Sequence, residues 1–259
     1  MLATFCLRLA FGLIASLLLF PTKLVNPRFY RAQFLTAMGL TAGATVLLWS
    51  HSTPLLWTAV AAIALTFVGA IVWTLAEAPG GRALIVVCTA NLATALTLNA
   101  LVNRGEMMNG DRADLTTSSA IQSITDDFSS AAVLGTSTTA MLIGHSYLIA
   151  PAMSLIPLLR LLSAFFIALI FRLTLAAVGV WTWTASYSLV NLTSENLMWL
   201  PVRWLVGIAA PLILGWMAWQ AAKIRSTQSA TGILYVIVIC CFLGELVSLL
   251  LIRNTGYTL

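Results

Sequence analysis

The feature that most constrains this chain is the recurrence of long apolar runs along its whole length. Each run has about 18 or more residues, enough for an α-helix to cross the roughly 30 Å hydrocarbon core of a bilayer. Only 8% of the 259 residues are charged, whereas an ordinary soluble domain has about a quarter. A transmembrane β-barrel would need alternating segments of about 10 residues, and the sequence has none. We therefore predict an all-α, polytopic transmembrane bundle that forms a single integral membrane domain over residues 1–259.

Proline, glycine and short polar sequences divide the apolar runs into about eight predicted spans. The N-terminal run lacks the basic segment and the cleavage site of a signal peptide, so we interpret it as the first span. Two polar stretches, Asn103–Asp127 and Thr184–Asn196, are predicted to be loops, and the first is moderately long and acidic. The predicted spans cover roughly residues 2–20, 33–50, 55–76, 83–102, 128–150, 155–181, 199–222 and 230–252.

Lysine and arginine are distributed unevenly between the two sides of the predicted bundle. With Met1 on the first side, the opposite side receives Lys23, Arg28, Arg31, Arg82, Arg160, Lys223 and Arg225. The first side receives Arg104, Arg112, Arg203 and Arg253, with the acids Glu106, Asp111, Asp114, Asp126, Asp127 and Glu195. Because cytoplasmic loops are enriched in cations, we predict that both termini and the acidic loop are extracytoplasmic, in a bacterial inner membrane.

Three charged residues lie well inside predicted spans, about six to nine residues from the nearer end, where an unpaired charge costs at least a few kcal/mol. Arg8, Arg172 and Glu245 fall within several ångströms of one depth when each helix rises about 1.5 Å per residue. One acid between two arginines could form a buried, hydrogen-bonded group. We expect either a structural clamp between the first, sixth and last spans or part of a proton or anion path. The clamp is favoured because no second acid or histidine is predicted at that depth.

His145 is the second candidate centre. It lies near the end of the fifth predicted span, and Tyr147 and Arg160 are predicted at the same face of the bilayer. A neutral imidazole there can bond across a helix contact, or it can hold a quinone oxygen or a haem iron. Two-histidine haem ligation within the chain is excluded, because the only other histidine, His51, is predicted near the opposite face.

The same span carries small residues at four-residue spacing, a pattern that lets another helix approach closely. We predict this stripe to be a helix-packing surface beside His145. Its members are Ala132, Thr136, Ala140 and Gly144.

Other site classes find no support in the residues. The four cysteines lie inside apolar runs without CxxC spacing, so a disulfide framework or zinc site is not predicted. The cations form no nucleic-acid-binding patch. No catalytic residues and no metal ligands are predicted, and a haem or quinone is compatible with the sequence without being required by it.

Three functions remain open, and we rank a structural subunit of a larger respiratory or photosynthetic membrane complex first. Its expected partners are membrane lipids, with quinone contact as an option, and other membrane protein subunits. The connection Pro21–Phe34, which combines three cations with Phe29 and Tyr30, has the composition of an interfacial lipid anchor. The alternatives are a small-solute or ion transporter that uses Arg8, Arg172 and Glu245, and a redox protein centred on His145.

Overall fold

A computed structural model describes residues 1–49, 53–75, 80–109, 120–150, 153–186 and 194–255. These residues are helical throughout apart from short connections, and they include no β-strand. The all-helical prediction is therefore confirmed for the described part of the chain. The helices are α1 (Leu2–Ser16), α2 (Pro27–Leu47), α3 (Thr53–Val72), α4 (Gly81–Asn109), α5 (Ala120–Ile149), α6 (Ile156–Ser186), α7 (Ser194–Pro201), a π-helical segment (Val202–Ala209), α8 (Ala210–Lys223) and α9 (Thr227–Thr255).

Six segments among the described residues are long and apolar enough to cross a membrane, which indicates a multi-pass membrane protein. Two further helices, α2 and α5, have 21 and 30 residues and are long enough but more polar. The six segments are Leu2–Leu19, Thr53–Val72, Gly81–Gly105, Ile156–Ala185, Met198–Lys223 and Thr227–Thr255.

The polar helix α5 occupies the centre of the bundle, packed against α1, α4, α6 and α9. Most of its side chains between Asp126 and Ala140 are buried. Many of them are small, which allows neighbouring helices to approach. Their hydroxyls donate to carbonyls of the preceding turn, for example from Ser137 Oγ to Val133 O at 2.7 Å. These bonds satisfy polar groups that would otherwise be costly in an apolar environment.

Contacts along the helices fix their directions. Arg8 bonds to Asp127, and further along both helices Ser16 and Thr139 share a hydroxyl hydrogen bond of 2.6 Å, so α1 and α5 run parallel. At the other end, Arg253 Nη1 donates to Met1 Sδ at 3.6 Å, which places the start of α1 beside the last turns of α9. We call this the Met1 end. Among the side chains that the structure describes, the opposite end, the basic end, carries six exposed cations: Arg28, Arg31, Arg82, Arg160, Lys223 and Arg225.

Glycines mark the closest helix contacts. Gly12 of α1 packs on the backbone of α5 at Ala131 and Gly135, so closely that a Cβ on either glycine would overlap the opposing backbone. Gly207 of the π-helical segment meets Gly244 of α9 in the same way. Only glycine, which has no Cβ, allows backbones to approach this closely.

The structure corrects the predicted loops. The predicted loop Asn103–Asp127 is largely helical, because α4 continues to Asn109 and α5 begins at Ala120. The second predicted loop is also shorter, since α6 continues to Ser186 and α7 begins at Ser194. His51 lies outside the described residues.

Candidate functional site

Six ionisable side chains from five helical segments meet in the interior of the bundle. Their exposed fractions are between 1% and 7%, so none has appreciable access to solvent. They come from α1, α5, α6, the π-helical segment and α9. We call them the charge cluster: Arg8, Asp126, Asp127, Arg172, Arg203 and Glu245.

Arg8 joins α1 to two consecutive acids of α5. Its Nε donates to Asp127 Oδ1 at 2.7 Å, and its Nη2 donates to Asp126 Oδ2 at 2.8 Å and also to Asp127. The remaining nitrogen, Nη1, donates to Ser130 Oγ at 3.0 Å. All three guanidinium nitrogens of Arg8 therefore have partners on one helix.

Arg172 connects α6 to both α5 and α9. Its Nε and Nη2 donate to the two carboxylate oxygens of Glu245 at 3.0 and 2.8 Å, a bidentate pair of the stronger type. Its Nη1 donates to Asp126, and Ser248 accepts a further bond from Nη2 at 3.0 Å. Asp126 is thus shared by Arg8 and Arg172.

Arg203 completes the cluster from the π-helical segment. Its Nη1 donates to Glu245 Oε1 and to the carbonyl oxygen of Gly244, both at 3.2 Å. The π-helical geometry is visible at the end of the segment, where the Ala210 N–H donates to Leu205 O, five residues back. Such segments are rare and often occur at functional sites.

The six charges form an alternating chain: Asp127, Arg8, Asp126, Arg172, Glu245, Arg203. Arg8 Nη1 also lies 3.7 Å from Glu245 Oε2, which closes part of the chain into a ring. With every group ionised, three positive and three negative charges cancel. The energetic cost of burying each charge is then offset by several opposite charges and hydrogen bonds instead of one.

Apolar side chains pack on the Met1 side of Glu245, where α6 meets α9. Trp183 of α6 packs with Val247 and Leu251 of α9, and all three are buried. Leu200 and Val202 pack against this group from α7 and the π-helical segment. The charge cluster can hold five segments in one relative position. Its side chains are at most 7% exposed, so the ion pairs have little contact with water.

Sequence reasoning placed three members of the cluster incorrectly. Asp126 and Asp127 were expected in the acidic loop, yet they lie two turns inside α5 and are buried. Arg203 was expected at the surface on the Met1 side, yet its side chain is 1% exposed. The prediction that no second acid shares the depth of Arg8 and Arg172 is therefore wrong.

The sequence contains one signal that could have located the two aspartates. Ser129 and Ser130 follow them after one residue, Phe128, and an apolar helix then continues. Acids one turn before a small-residue helix surface are more consistent with an inward-facing helix end than with a loop.

The structure does not bring His145, Tyr147 and Arg160 together as a site. His145 and Arg160 are exposed, whereas Tyr147 is buried. The Tyr147 hydroxyl donates to Ser154 O at 2.5 Å and so connects the end of α5 to the start of α6. No group of three or more His, Cys, Asp or Glu side chains among the described residues is arranged to hold a metal ion.

Three members of the small-residue stripe, Thr136, Ala140 and Gly144, are buried, and Ala132 is half-buried. Gly144 faces α9, where an added Cβ would lie 2.9 Å from Thr231 Oγ1. The closest approach involving α5 lies elsewhere, at Gly135, which the stripe did not include.

A separate cavity of about 170 Å³ opens at the Met1 end. Its polar wall is formed by Asn99 and Asn103 of α4, whose amide nitrogens both donate to Thr4 Oγ1 at 3.2 Å. Met1, Leu2 and the end of α2 form the apolar wall. None of the described residues that line this cavity has an ionisable side chain.

We compared the chain with protein-family models, curated proteins and solved structures, and none of the three comparisons gives a match.

Proposed function

We propose that this chain is a structural subunit of a larger bacterial membrane assembly, in which it holds its own helices rigidly and presents a fixed surface to neighbouring subunits. The observation that supports the proposal best is the charge cluster. A cluster that pairs every charge across five segments favours a fixed scaffold over a moving one. Large apolar side chains remain exposed on α6 and α8, including Ile167, Trp181 and Ile213, for contact with lipid or other subunits.

The charge cluster contributes more to the specificity of helix packing than to the free energy of folding. Replacing a buried ion pair by well-packed apolar residues is often neutral or stabilising, so stability alone does not account for such a network. However, shifting α9 by one turn, about 5.4 Å, would separate Glu245 from both Arg172 and Arg203. Charges left unpaired in this interior would make the shifted arrangement costly.

We further propose about eight spans, with both termini extracytoplasmic. An even number of crossings is supported by the contact between Arg253 and Met1 at one end. The charge asymmetry supports the orientation. With Arg203 buried in the charge cluster, the Met1 end has one surface cation fewer than the sequence alone indicated.

One observation favours a second candidate, an ion or small-solute transporter. The charges form a continuous chain from Asp127 to Arg203, and protonation of one carboxylate would release an arginine to another partner. In this function the apolar group at Trp183 would act as a barrier that opens during transport.

Reconstitution separates the two candidates. We would place the purified chain and the Glu245→Gln variant in liposomes and measure proton and anion flux under an imposed gradient. A structural subunit gives the flux of protein-free liposomes. The structural proposal is overturned in favour of transport if the wild type gives a flux above that level and Glu245→Gln removes it. The variant must retain the helical circular dichroism of the wild type.

Assembly is tested in the native membrane. After mild solubilisation, the tagged chain should migrate on native gels well above its 27.8 kDa mass, together with a reproducible set of subunits. Glu245→Gln should deplete this large species, whereas Arg160→Gln, at an exposed cation, should leave it unchanged. Migration of the wild type as a single chain under cross-linking conditions would refute the subunit proposal.

A further inference from the structure

A second buried polar group lies at the basic end, where α2 begins and α3 ends. Tyr30 of α2 and Trp73, directly after α3, have stacked rings with centroids 4.2 Å apart and planes at 15°. Phe20 and Phe29 pack around the same tyrosine ring at 6.1 and 5.9 Å. Tyr30 is 0% exposed and Trp73 is 5% exposed, so both rings are held in place.

Within the part of the chain that the structure describes, the polar atoms of this group have no hydrogen-bond partner. They are the Tyr30 hydroxyl, the Trp73 Nε1 and both amide atoms of Gln33, whose side chain is also 0% exposed. Gln33 follows Tyr30 by three residues, so it lies about 4.5 Å deeper on a neighbouring part of the helix surface. Polar groups buried without partners cost free energy, and such groups in proteins nearly always bind something.

The unpartnered atoms indicate what type of ligand this group can bind. Tyr30, Trp73 and the Gln33 amide offer hydrogen-bond donors, and the Gln33 carbonyl and the Tyr30 hydroxyl oxygen can accept. Arg82 lies on the first turn of α4, directly after Gly81, where an added Cβ would lie 2.7 Å from the Trp73 ring. Donors beside a guanidinium suit a phosphate, and the Gln33 carbonyl suits a hydroxyl on the same molecule.

The position favours a lipid over a free phosphate. The group lies at helix ends, the level at which headgroups are found, on the end that carries the six exposed cations. Two exposed leucines, Leu19 and Leu75, lie next to Phe20 and two residues after Trp73. They offer apolar surface for acyl chains, which inorganic phosphate would not use.

We propose that Tyr30, Gln33 and Trp73, together with Arg82, form a specific site for the headgroup of an anionic, hydroxyl-bearing phospholipid such as phosphatidylglycerol. Arg82 binds the phosphate from the surface. The Tyr30 hydroxyl and the Trp73 indole N–H donate to its oxygens, and Gln33 accepts from a glycerol hydroxyl. Because Tyr30 and Gln33 are 0% exposed, the headgroup reaches their polar atoms only when side chains at this end of the bundle move apart.

Lipid retention by the purified chain tests the site. We would equilibrate the protein with equal amounts of phosphatidylglycerol and phosphatidylcholine in detergent and count bound lipids by native mass spectrometry. The wild type should retain one phosphatidylglycerol in preference to phosphatidylcholine. Tyr30→Phe, which keeps the stacked ring and removes only the hydroxyl, and Arg82→Gln should each lower that retention about tenfold.

Three controls make the result decisive. Arg160→Gln removes an exposed cation from the same end, and an equal loss of retention in this variant would show general surface attraction and refute the site. If Tyr30→Phe does not fold, Gln33→Met replaces it and should lower retention similarly. Inorganic phosphate should not raise the melting temperature. Stabilisation by phosphate as large as that by phosphatidylglycerol, or equal retention of both lipids, would overturn the proposal.

Discussion

Replacing Glu245 with glutamine tests whether charge balance holds the bundle together. The carboxylate accepts bonds from Arg172 at 3.0 and 2.8 Å and from Arg203 at 3.2 Å, with Arg8 a further 3.7 Å away. Glutamine preserves the shape and one acceptor but removes the charge, so the cluster gains a net positive charge without access to water. Removing one partner of a buried ion pair costs about 3–5 kcal/mol. We expect a loss near the upper value, because three guanidiniums share this carboxylate.

The loss is measurable by thermal unfolding of the purified protein in a mild detergent. The nine tryptophans provide an intrinsic fluorescence signal. In a chain of this size, 1 kcal/mol corresponds to about 2–4 °C, so we expect the melting temperature of Glu245→Gln to fall on the order of 10 °C. An unchanged melting temperature would refute the reasoning.

A second substitution separates lost charge from lost hydrogen bonds. Adding Arg203→Met to Glu245→Gln removes one cation and restores neutrality, so the double variant should recover about half of the lost stability or more. Arg225→Met, at an exposed cation, should give no recovery in the same background. If the two buried substitutions simply add their losses, charge balance is not the cause.

Further predictions concern packing, the histidine and topology. Gly135→Leu should destabilise the protein by about 3 kcal/mol or more, because its side chain would overlap the α1 backbone, whereas Gly39→Leu, with nothing within 4 Å of the added Cβ, should melt close to the wild type. His145→Gln should retain the wild-type melting temperature and visible spectrum, and the loss of a haem band in this variant would instead support the redox function. A reporter enzyme that is active only on the cytoplasmic side should be inactive when fused to the carboxyl terminus. The same reporter should be active when inserted in the turn between α8 and α9. The reverse pattern would contradict the proposed orientation.

The sequence predicts those members of the cluster whose apolar surroundings raise the free-energy cost of an unpaired charge. Arg8, Arg172 and Glu245 are each flanked by long apolar sequences, so each must be paired wherever the helices lie. The structure brings the three together. Their partners on other helices could not be derived, because pairing depends on which helices are neighbours.

Asp126, Asp127 and Arg203 were missed for a related physical reason. All three lie at the boundary of an apolar run, where hydropathy cannot distinguish a surface loop from the polar end of a buried helix. For Asp126 and Asp127 the difference arises from α5 starting at Ala120, before its apolar part. For Arg203 it arises from the π-helical segment, which places the side chain beside Glu245.

The position of α5 shows what hydropathy measures in a chain of this kind. A helix that faces lipid must carry apolar side chains, because lipid offers polar ones no hydrogen-bond partner. The composition of α3 is that expected of such a helix, and about a third of its most apolar window is buried. A helix surrounded by other helices has no such requirement. It gains more from small side chains, which let neighbours approach, and from hydroxyls that bond to its own backbone. The central helix of this bundle is therefore less apolar than α3, and its serines, threonines and aspartates indicate contact with protein on nearly every side.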